Sequence, residues 1–311
     1  MLNITTGIIR RPVRMVIFGP EGIGKTSLST HAPNPLLMDI EDGSTQLDVR
    51  RINNIQSWEE AMAIIEEVTK TPGICETFVV DTVDRLEQLC IKYVCTKFKQ
   101  SSLEAFPYGR GYNILGEEFT KFLAACDQVI AAGINVIIVA HAKMRKFEQP
   151  DEMGSYDRWE LKLTRQVSPL IKEWSDLLLF ANYQTVIVTS ENNTRKPTGG
   201  KRVMYASHHP AWDAKNRFNL PDVMDLDFSC IAHIFGKADP APEQPKPIDQ
   251  LRALMAEAGI TDAQLQKVVA SKGHYPADAA IDTYEDKFIT GWCIKHFAAI
   301  TNMIKEDQNN G

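Results

Sequence analysis

Eight consecutive residues, Gly19-Pro20-Glu21-Gly22-Ile23-Gly24-Lys25-Thr26, fit the pattern G-x-x-x-x-G-K-[ST], and their flanks fit it too. Upstream, Val13 to Phe18 is a β-branched and apolar run that reads as a buried strand. Downstream, Ser27 to Thr30 reads as a first helical turn. Strand, glycine loop and helix start together make a bowl of backbone N–H groups whose partial positive charge favours phosphate. Glycine at 19, 22 and 24 lets the backbone approach oxygens with no Cβ in the way. The expected nucleotide-binding set is therefore Gly19, Pro20, Glu21, Gly22, Ile23, Gly24, Lys25, Thr26 and Ser27. Lys25 is expected to face solvent in the empty loop and to reach the β- and γ-phosphates, and Thr26 to ligate Mg²⁺ through its hydroxyl. The pattern implies ATP and Mg²⁺ as cofactors.

A chain of 311 residues allows one large core with a small appendage, or two modest domains. Hydrophobic and charged contents of 44% and 24% place it with globular chains and exclude a disordered or fibrous one. No apolar run approaches the roughly 18 residues of a membrane span, and residues 1–7 lack the pattern of a secretory signal, so no membrane partner is expected. Six cysteines at 75, 90, 95, 126, 230 and 293 form no C-x-x-C pair. They fit reduced thiols in a cytoplasmic protein better than disulfides or a zinc site. The net charge of −6 disfavours a uniformly basic nucleic-acid surface and leaves local basic patches open.

From residue 13 to about 190, strand-like and helix-like runs alternate. Leu36 to Ile40 reads as a second strand, and Ser57 to Lys70 as a helix opened by a Ser57/Glu60 capping box. Phe78 to Asp81 is a third strand, followed by helices over Val83 to Phe98 and Ile114 to Ala132. Ile134 to Ala140 is a fourth strand, Val167 to Trp174 a helix, and Leu177 to Tyr183 a fifth strand. Such alternation implies an α/β fold, a parallel sheet with helices on both faces. Thr185 to Thr189 and Val203 to Ala206 flank a turn-rich stretch with Pro197, Gly199 and Gly200, which predicts an antiparallel edge hairpin. The expected organisation is a core over 1–238, a proline-rich linker over 239–248, three helices over 249–305 and a disordered tail over 306–311. Thr261 and Gln264 form a second capping box in the helical domain.

Asp81 ends an apolar strand downstream of the phosphate loop, where an acid can hold a Mg²⁺-bound water opposite Thr26. The same aspartate could instead cap the helix that follows. Hydrolysis also needs a group to take a proton from water. Thr82 stands where an acid could follow Asp81, so Glu41, at the end of the second strand, is the better candidate base.

These residues resemble the RecA-like ATPases: recombinases, RadA-type proteins and DnaB-type hexameric helicases. That group carries its catalytic glutamate in an Asp-x-Glu context after the second strand, which Asp39-Ile40-Glu41 matches. The resemblance implies a core sheet of order 5-1-4-3-2, in sequence numbering of the five strands. It also places a polar γ-phosphate sensor, usually glutamine, at the tip of the fourth strand; here Val139-Ala140-His141 puts a histidine there. His141 could equally be a buried histidine bonded to backbone. Lys215 and Arg217 resemble the lysine-x-arginine finger inserted into a neighbouring subunit's site, although such a triplet is also common on solvated surfaces. A narrower resemblance is to phage-encoded, core-only RecA-like single-strand annealing proteins, the fourth of the Sak-type classes. It covers residues 13 to about 235 and includes the phosphate loop, His141, Tyr108-Gly109-Arg110-Gly111-Tyr112 and Ala214-Lys215-Asn216-Arg217.

RecA-like proteins touch DNA with two loops, and the resemblance places the first at Tyr108, Arg110 and Tyr112 and the second at Lys143, Arg145 and Lys146. Aromatic rings can stack on bases and cations can pair with phosphates without reading sequence. The alternatives are tyrosines packed on the sheet and a solvated basic turn. Arg195, Lys196, Lys201 and Arg202 form a third basic spot at the hairpin, facing DNA or a neighbouring subunit. The expected function is a Mg²⁺-dependent ATPase that binds single-stranded DNA and promotes annealing or pairing, as a ring or filament, in the cytoplasm of a phage's host. A single-strand-binding or other protein could dock on the C-terminal helices. Two other functions stay open. One is a hexameric helicase or translocase, against which stands the absence of a primase-like or helical collar before the core. The other is a non-motor switch acting through a protein partner.

Overall fold

The computed structural model describes residues 6–7, 9–148, 155–189, 195–236 and 246–309. The chain divides into two compact units, Met1–Asp239 and Pro240–Gly311. In the larger, β1 (Arg14–Gly19) enters the phosphate loop and α1 (Lys25–Ser29) leaves it. Then follow β2 (Pro35–Asp39), β3 (Arg50–Ile52), α2 (Trp58–Lys70), β4 (Thr77–Asp81), α3 (Val83–Lys97) and α4 (Arg110–Ala131). β5 (Asn135–Glu148), β6 (Ser155–Leu161), α5 (Val167–Trp174), β7 (Leu177–Thr189), β8 (Arg195–Tyr205), β9 (Lys215–Asn216) and β10 (Val223–Asp225) complete it.

The sheet runs β10-β8-β7-β1-β5-β4-β2-β3, and its central five strands, β7-β1-β5-β4-β2, realise the expected order 5-1-4-3-2. All ladders from β7 to β3 are parallel. Side-chain alternation feeds two cores. Val16, Phe18, Phe78, Val80, Val136 and Ile138 pack under α2, α3, α4 and α5. Their neighbours Met15, Ile17, Val79, Ile137 and Val139 face α1 and the 3₁₀ turns at Phe228–Cys230 and Ala232–Phe235. Burial on both faces is why these strands read as unbroken apolar runs. Burial of that extent is the main stabilising term, roughly 25 cal/mol for each Å² of apolar surface removed from water.

The edge hairpin differs from its sequence expectation. The fifth strand and the first hairpin arm are one strand, β7, which shifts register between Gln184 and Val186. Its partner β8 begins at Arg195, so Thr189 pairs with Arg195 and Phe180 with Tyr205. Pro197, Gly199 and Gly200 lie within β8 rather than in the turn. An edge strand tolerates proline because one row of its backbone groups needs no ladder partner; residues 190–194 lie outside the described residues.

In the smaller unit, α6 (Pro247–Ala258) starts inside the stretch expected as linker, since proline is well suited to a first helical turn. Residues 237–245 of that stretch lie outside the described residues. α7 (Asp262–Ser271) carries the expected Thr261/Gln264 capping box. The third helix is broken into α8 (Asp286–Phe288), a π turn over Ile289–Ile294 and α9 (Phe297–Asn309). α9 runs past residue 306, where a disordered tail was expected, because polar residues serve a solvated last turn as well as a tail; residues 310–311 lie outside the described residues. Leu251, Met255, Leu265, Val269, Ile289, Cys293 and Ile300 form its core. Among the described residues no helix is long and apolar enough to cross a membrane. All six cysteines are free thiols.

Gly19 sits where β1 turns out of the sheet, and a Cβ there would lie 2.2 Å from the Ala181 carbonyl oxygen on β7. Backbone cannot yield as a flexible side chain can. Gly19→Ala should therefore destabilise the larger unit by about 3 kcal/mol or more, read as a fall in denaturation midpoint. Gly43→Ala, with open space around it, is the control and should change little.

Candidate nucleotide site

Parallel strands share one direction, so their carboxyl ends line up along one edge. Gly19 of β1 stands opposite His141 of β5, and Asp81 of β4 opposite Asp39 of β2. The phosphate loop leaves this edge and turns through positive φ at Gly22 and Gly24, at 72° and 109°. Open α/β sheets bind ligands along this edge.

Lys25 does not face solvent. Its side chain is buried, and Nζ donates to the carbonyls of Gly19 at 3.0 Å and Pro20 at 2.8 Å. The ammonium at the loop floor finds its acceptors in the loop's own backbone. Burial lowers the Lys25 pKa, opposed by the charges of Asp81, Asp84, Glu41 and Glu21. Thr26 Oγ1 donates to Asp81 Oδ2 at 2.6 Å. Asp81 is 5% exposed, and burial pushes its carboxyl up to about 6, with Glu41 and Asp39 adding to the rise and the Thr26 hydrogen bond opposing it.

Asp81 does not cap the helix after it; Thr82 does, its hydroxyl accepting from the Arg85 amide at 3.4 Å. That frees Asp81 for the loop. The Thr26 hydroxyl and the Asp81 carboxylate are hard oxygen donors, the type Mg²⁺ requires, and both point into the space beside the loop that they already share. Fit is therefore good for a magnesium ion held by Thr26 and Asp81.

Glu41 lies beside them. Its Oε1 accepts from the Thr82 hydroxyl at 2.7 Å and lies 3.6 Å from His141 Nδ1. Among the described residues, the His141 ring meets carboxylates rather than backbone acceptors. Its Nδ1 and its own amide N–H both pair with the Asp84 carboxylate, each at 2.9 Å. Asp84, in the first turn of α3, is the site residue that sequence patterns miss, because an acid at that helical position is ordinary. Glu41, Asp84 and His141 each offer an atom within 4.8 Å of the others, and hydrogen bonding already accounts for that cluster. Asp39 has a structural part. Its buried carboxylate accepts from the amides of Gly43 and Ser44 and from the Ser44 hydroxyl, closing the turn that carries Glu41.

Arg202, expected at the outer basic spot of the hairpin, reaches this site instead. Its Nη1 lies 3.4 Å from the Ile23 carbonyl and would be 3.1 Å from a Cβ on Gly24. Glu21 is exposed and pairs with Lys162 at 3.4 Å. Lys215 and Arg217 lie at the opposite edge. Lys215 Nζ donates to the carbonyls of Lys172 and Glu173 at the end of α5, and burial lowers its pKa. Arg217 Nη1 donates at 2.7 Å to Asp176, whose amide bonds to Arg14 at the start of β1. Neither can serve its own chain's phosphate loop.

The two expected DNA loops are both regular structure. Pro107–Gly109 is a 3₁₀ turn leading directly into α4, so Arg110 and Tyr112 are helical. Gly111 marks a close approach, since a Cβ there would lie 2.7 Å from Leu103 O and the Phe106 ring. Tyr108 is fully exposed, at 105%, while Tyr112 is half-buried and its hydroxyl is bonded to Glu104. Lys143, Arg145 and Lys146 sit on the outer half of β5, paired with β6 rather than in a turn. All three are exposed; Lys143 Nζ bonds the Leu163 carbonyl and Arg145 lies 3.9 Å from Glu160.

Because the folded state raises the Asp81 pKa from 3.8 to about 6, ionised Asp81 opposes folding, and this cost appears as pH rises through that interval. Asp81→Asn should remove it, raising the stability of the nucleotide-free protein at pH 7 by up to about 3 kcal/mol and leaving stability at pH 3.5 nearly unchanged. Denaturant titrations at both pH values check this.

The AAA domain family matches residues 11–218. The SPbeta prophage-derived uncharacterized protein YorG of Bacillus subtilis (strain 168) is 28% identical over 133 residues, 41% of this chain and 40% of that protein. The chain thus spans about two-fifths of this curated relative's length. Among solved structures, the KaiC-like protein PH0186 of Pyrococcus horikoshii OT3 aligns at 12% identity and a TM-score of 0.33. The flagellar accessory protein FlaH of Methanocaldococcus jannaschii aligns at 10% and 0.32; each covers 63% of this chain and 78% of its own. With a phosphate loop, a strand-end aspartate and a family match over two-thirds of its length, the chain belongs to the AAA domain family of P-loop ATPases.

Proposed function

We propose that the protein is a Mg²⁺-dependent ATPase of the RecA-like type that binds single-stranded DNA and promotes strand annealing or pairing. The observation that carries the ATPase reading is the gathering of Lys25, Thr26, Asp81, Glu41 and His141 at one sheet edge. When ATP enters, Lys25 would exchange its two backbone carbonyls for phosphate oxygens. Thr26 and Asp81 would hold Mg²⁺, which would supply charge neutralisation on the phosphates. Glu41 would take a proton from water as the water oxygen bonds the γ-phosphorus and the bond to the β-phosphate oxygen breaks, leaving ADP and phosphate. Gly22–Lys25 would contribute backbone N–H groups to the same oxygens.

The DNA part rests on exposed groups of the right chemistry. Tyr108 offers an uncovered ring, and Arg110, Arg145 and Lys146 offer exposed cations. The prophage derivation of the YorG relative supports a phage-type recombination role. The placement of Lys215 and Arg217 away from their own loop supports a ring or filament in which they meet a neighbour's γ-phosphate.

Steady-state ATP hydrolysis with and without single-stranded DNA tests this function. Turnover should rise several-fold with DNA, Glu41→Gln should bind ATP but lose at least about 100-fold in turnover, and Tyr108→Ala should lose the DNA stimulation alone. Turnover indifferent to DNA would favour the protein-partner switch. Arg217→Ala and Lys25→Ala should each be inactive, and mixing them should restore activity at interfaces pairing an intact loop with an intact finger. Mixtures that co-assemble and stay inactive would contradict the finger.

A further inference from the structure

His141 is held between two carboxylates from different elements. Asp84 on α3 takes its Nδ1 and its amide N–H, each at 2.9 Å, and Glu41, beyond β2, lies 3.6 Å from the same Nδ1. Lys25, on α1, is the third charged group that faces the ring. Asp84 is itself 8% exposed, and each of its carboxylate oxygens accepts from His141. An ionised carboxylate only accepts, so its contact with Nδ1 requires the proton to sit on Nδ1. The same proton then faces Glu41 Oε1, whose other partner is the Thr82 hydroxyl.

We propose that Asp84 is a positioning residue for ATP hydrolysis: it keeps the proton on His141 Nδ1, and His141 in turn holds Glu41 in place for the attacking water. The inference rests on the ATPase reading above and adds a residue that the phosphate-loop pattern does not name. Two directions agree with the geometry. His141 is raised above the usual imidazole range, chiefly by its hydrogen bond to Asp84, with Glu41 adding and burial and Lys25 opposing. The Asp84 carboxyl lies below its usual value; burial alone would raise it, and the bonds from His141 outweigh that burial. A histidine with raised pKa stays charged to higher pH, so the charge part of its hold on Glu41 is complete below about pH 6.5 and lost as pH rises through its folded pKa, while Asp84 keeps the remaining proton on Nδ1.

Asp84→Asn preserves shape and can still accept the His141 amide, yet it turns an NH₂ toward Nδ1 and drives the proton to Nε2. Imidazole ¹⁵N spectra, with His141 assigned by its loss in His141→Gln, should show the Nδ1–H tautomer in the wild type and Nε2–H in Asp84→Asn. The His141 titration midpoint should fall by about one pH unit. In the same variant kcat should drop about tenfold with KM for ATP within about twofold, and the high-pH limb of kcat should move acidward with the midpoint. Asp84→Glu keeps an acceptor-only carboxylate and should keep the Nδ1–H tautomer. Should Asp84→Asn fail to fold, His141→Gln alone decides: its kcat must lose the high-pH limb, and a retained limb overturns the inference. A folded Asp84→Asn with unmoved tautomer and midpoint, or with moved spectra and unchanged kcat, also overturns it. A wild type with no ATPase activity would overturn the functional reading and Asp84's part in hydrolysis together, whereas an active wild type with unmoved spectra sinks Asp84's role alone.

Discussion

Six strands hydrogen-bonded in parallel, β7-β1-β5-β4-β2-β3, have to end along a common edge, and the chemistry of this protein depends on that constraint. Register does the positioning. Gly19 opposite His141, Val139 opposite Asp81 and Asp81 opposite Asp39 are backbone pairings, so loop, histidine and acids are aligned before any side chain is considered. The helices contribute by burying both faces, which leaves the carboxyl edge as the place where the core meets ligand.

Alignment collects charge in a partly dry place. Lys25 and Asp81 are both buried, and each is pulled by desolvation toward its neutral form. Contacts within the chain hold the site together: Lys25 on the carbonyls of Gly19 and Pro20, Thr26 on Asp81, and His141 on Asp84. Phosphate and a cation would replace the first two with charge-assisted ones. A site arranged in advance needs little reorganisation during reaction, which is where electrostatic stabilisation is most effective.

Much of this was legible in the sequence, and the failures have physical causes. The phosphate loop and Asp81 are readable because central strands are apolar on both faces and end in conspicuous residues, whereas the strand order is what the resemblance to RecA-like ATPases implies. β3 is invisible as a pattern, since Arg50-Arg51-Ile52 is short and largely charged at the sheet edge. The outer half of β5 and its partner β6 are rich in Lys, Arg, Asp and Glu and look like a solvated turn, yet they pair strand to strand from Ala142/Leu161 to Glu148/Ser155. Gly109 and Gly111 suggest a mobile loop; one is the positive-φ cap of α4 and the other a close approach to Phe106. The pairing of Asp84 with His141 and the reach of Arg202 to Ile23 depend on contacts between residues far apart in the chain, which no local spacing encodes.

A single nucleotide site built from these groups has a direct consequence for a crystal structure with a non-hydrolysable ATP analogue and Mg²⁺. It predicts Lys25 Nζ moved from the carbonyls of Gly19 and Pro20 onto phosphate oxygens, the cation held by Thr26 and Asp81, and Glu41 beside the water in line with the γ-phosphate. A nucleotide bound away from the loop, or bound with Lys25 still on its own backbone and no cation between Thr26 and Asp81, would contradict it.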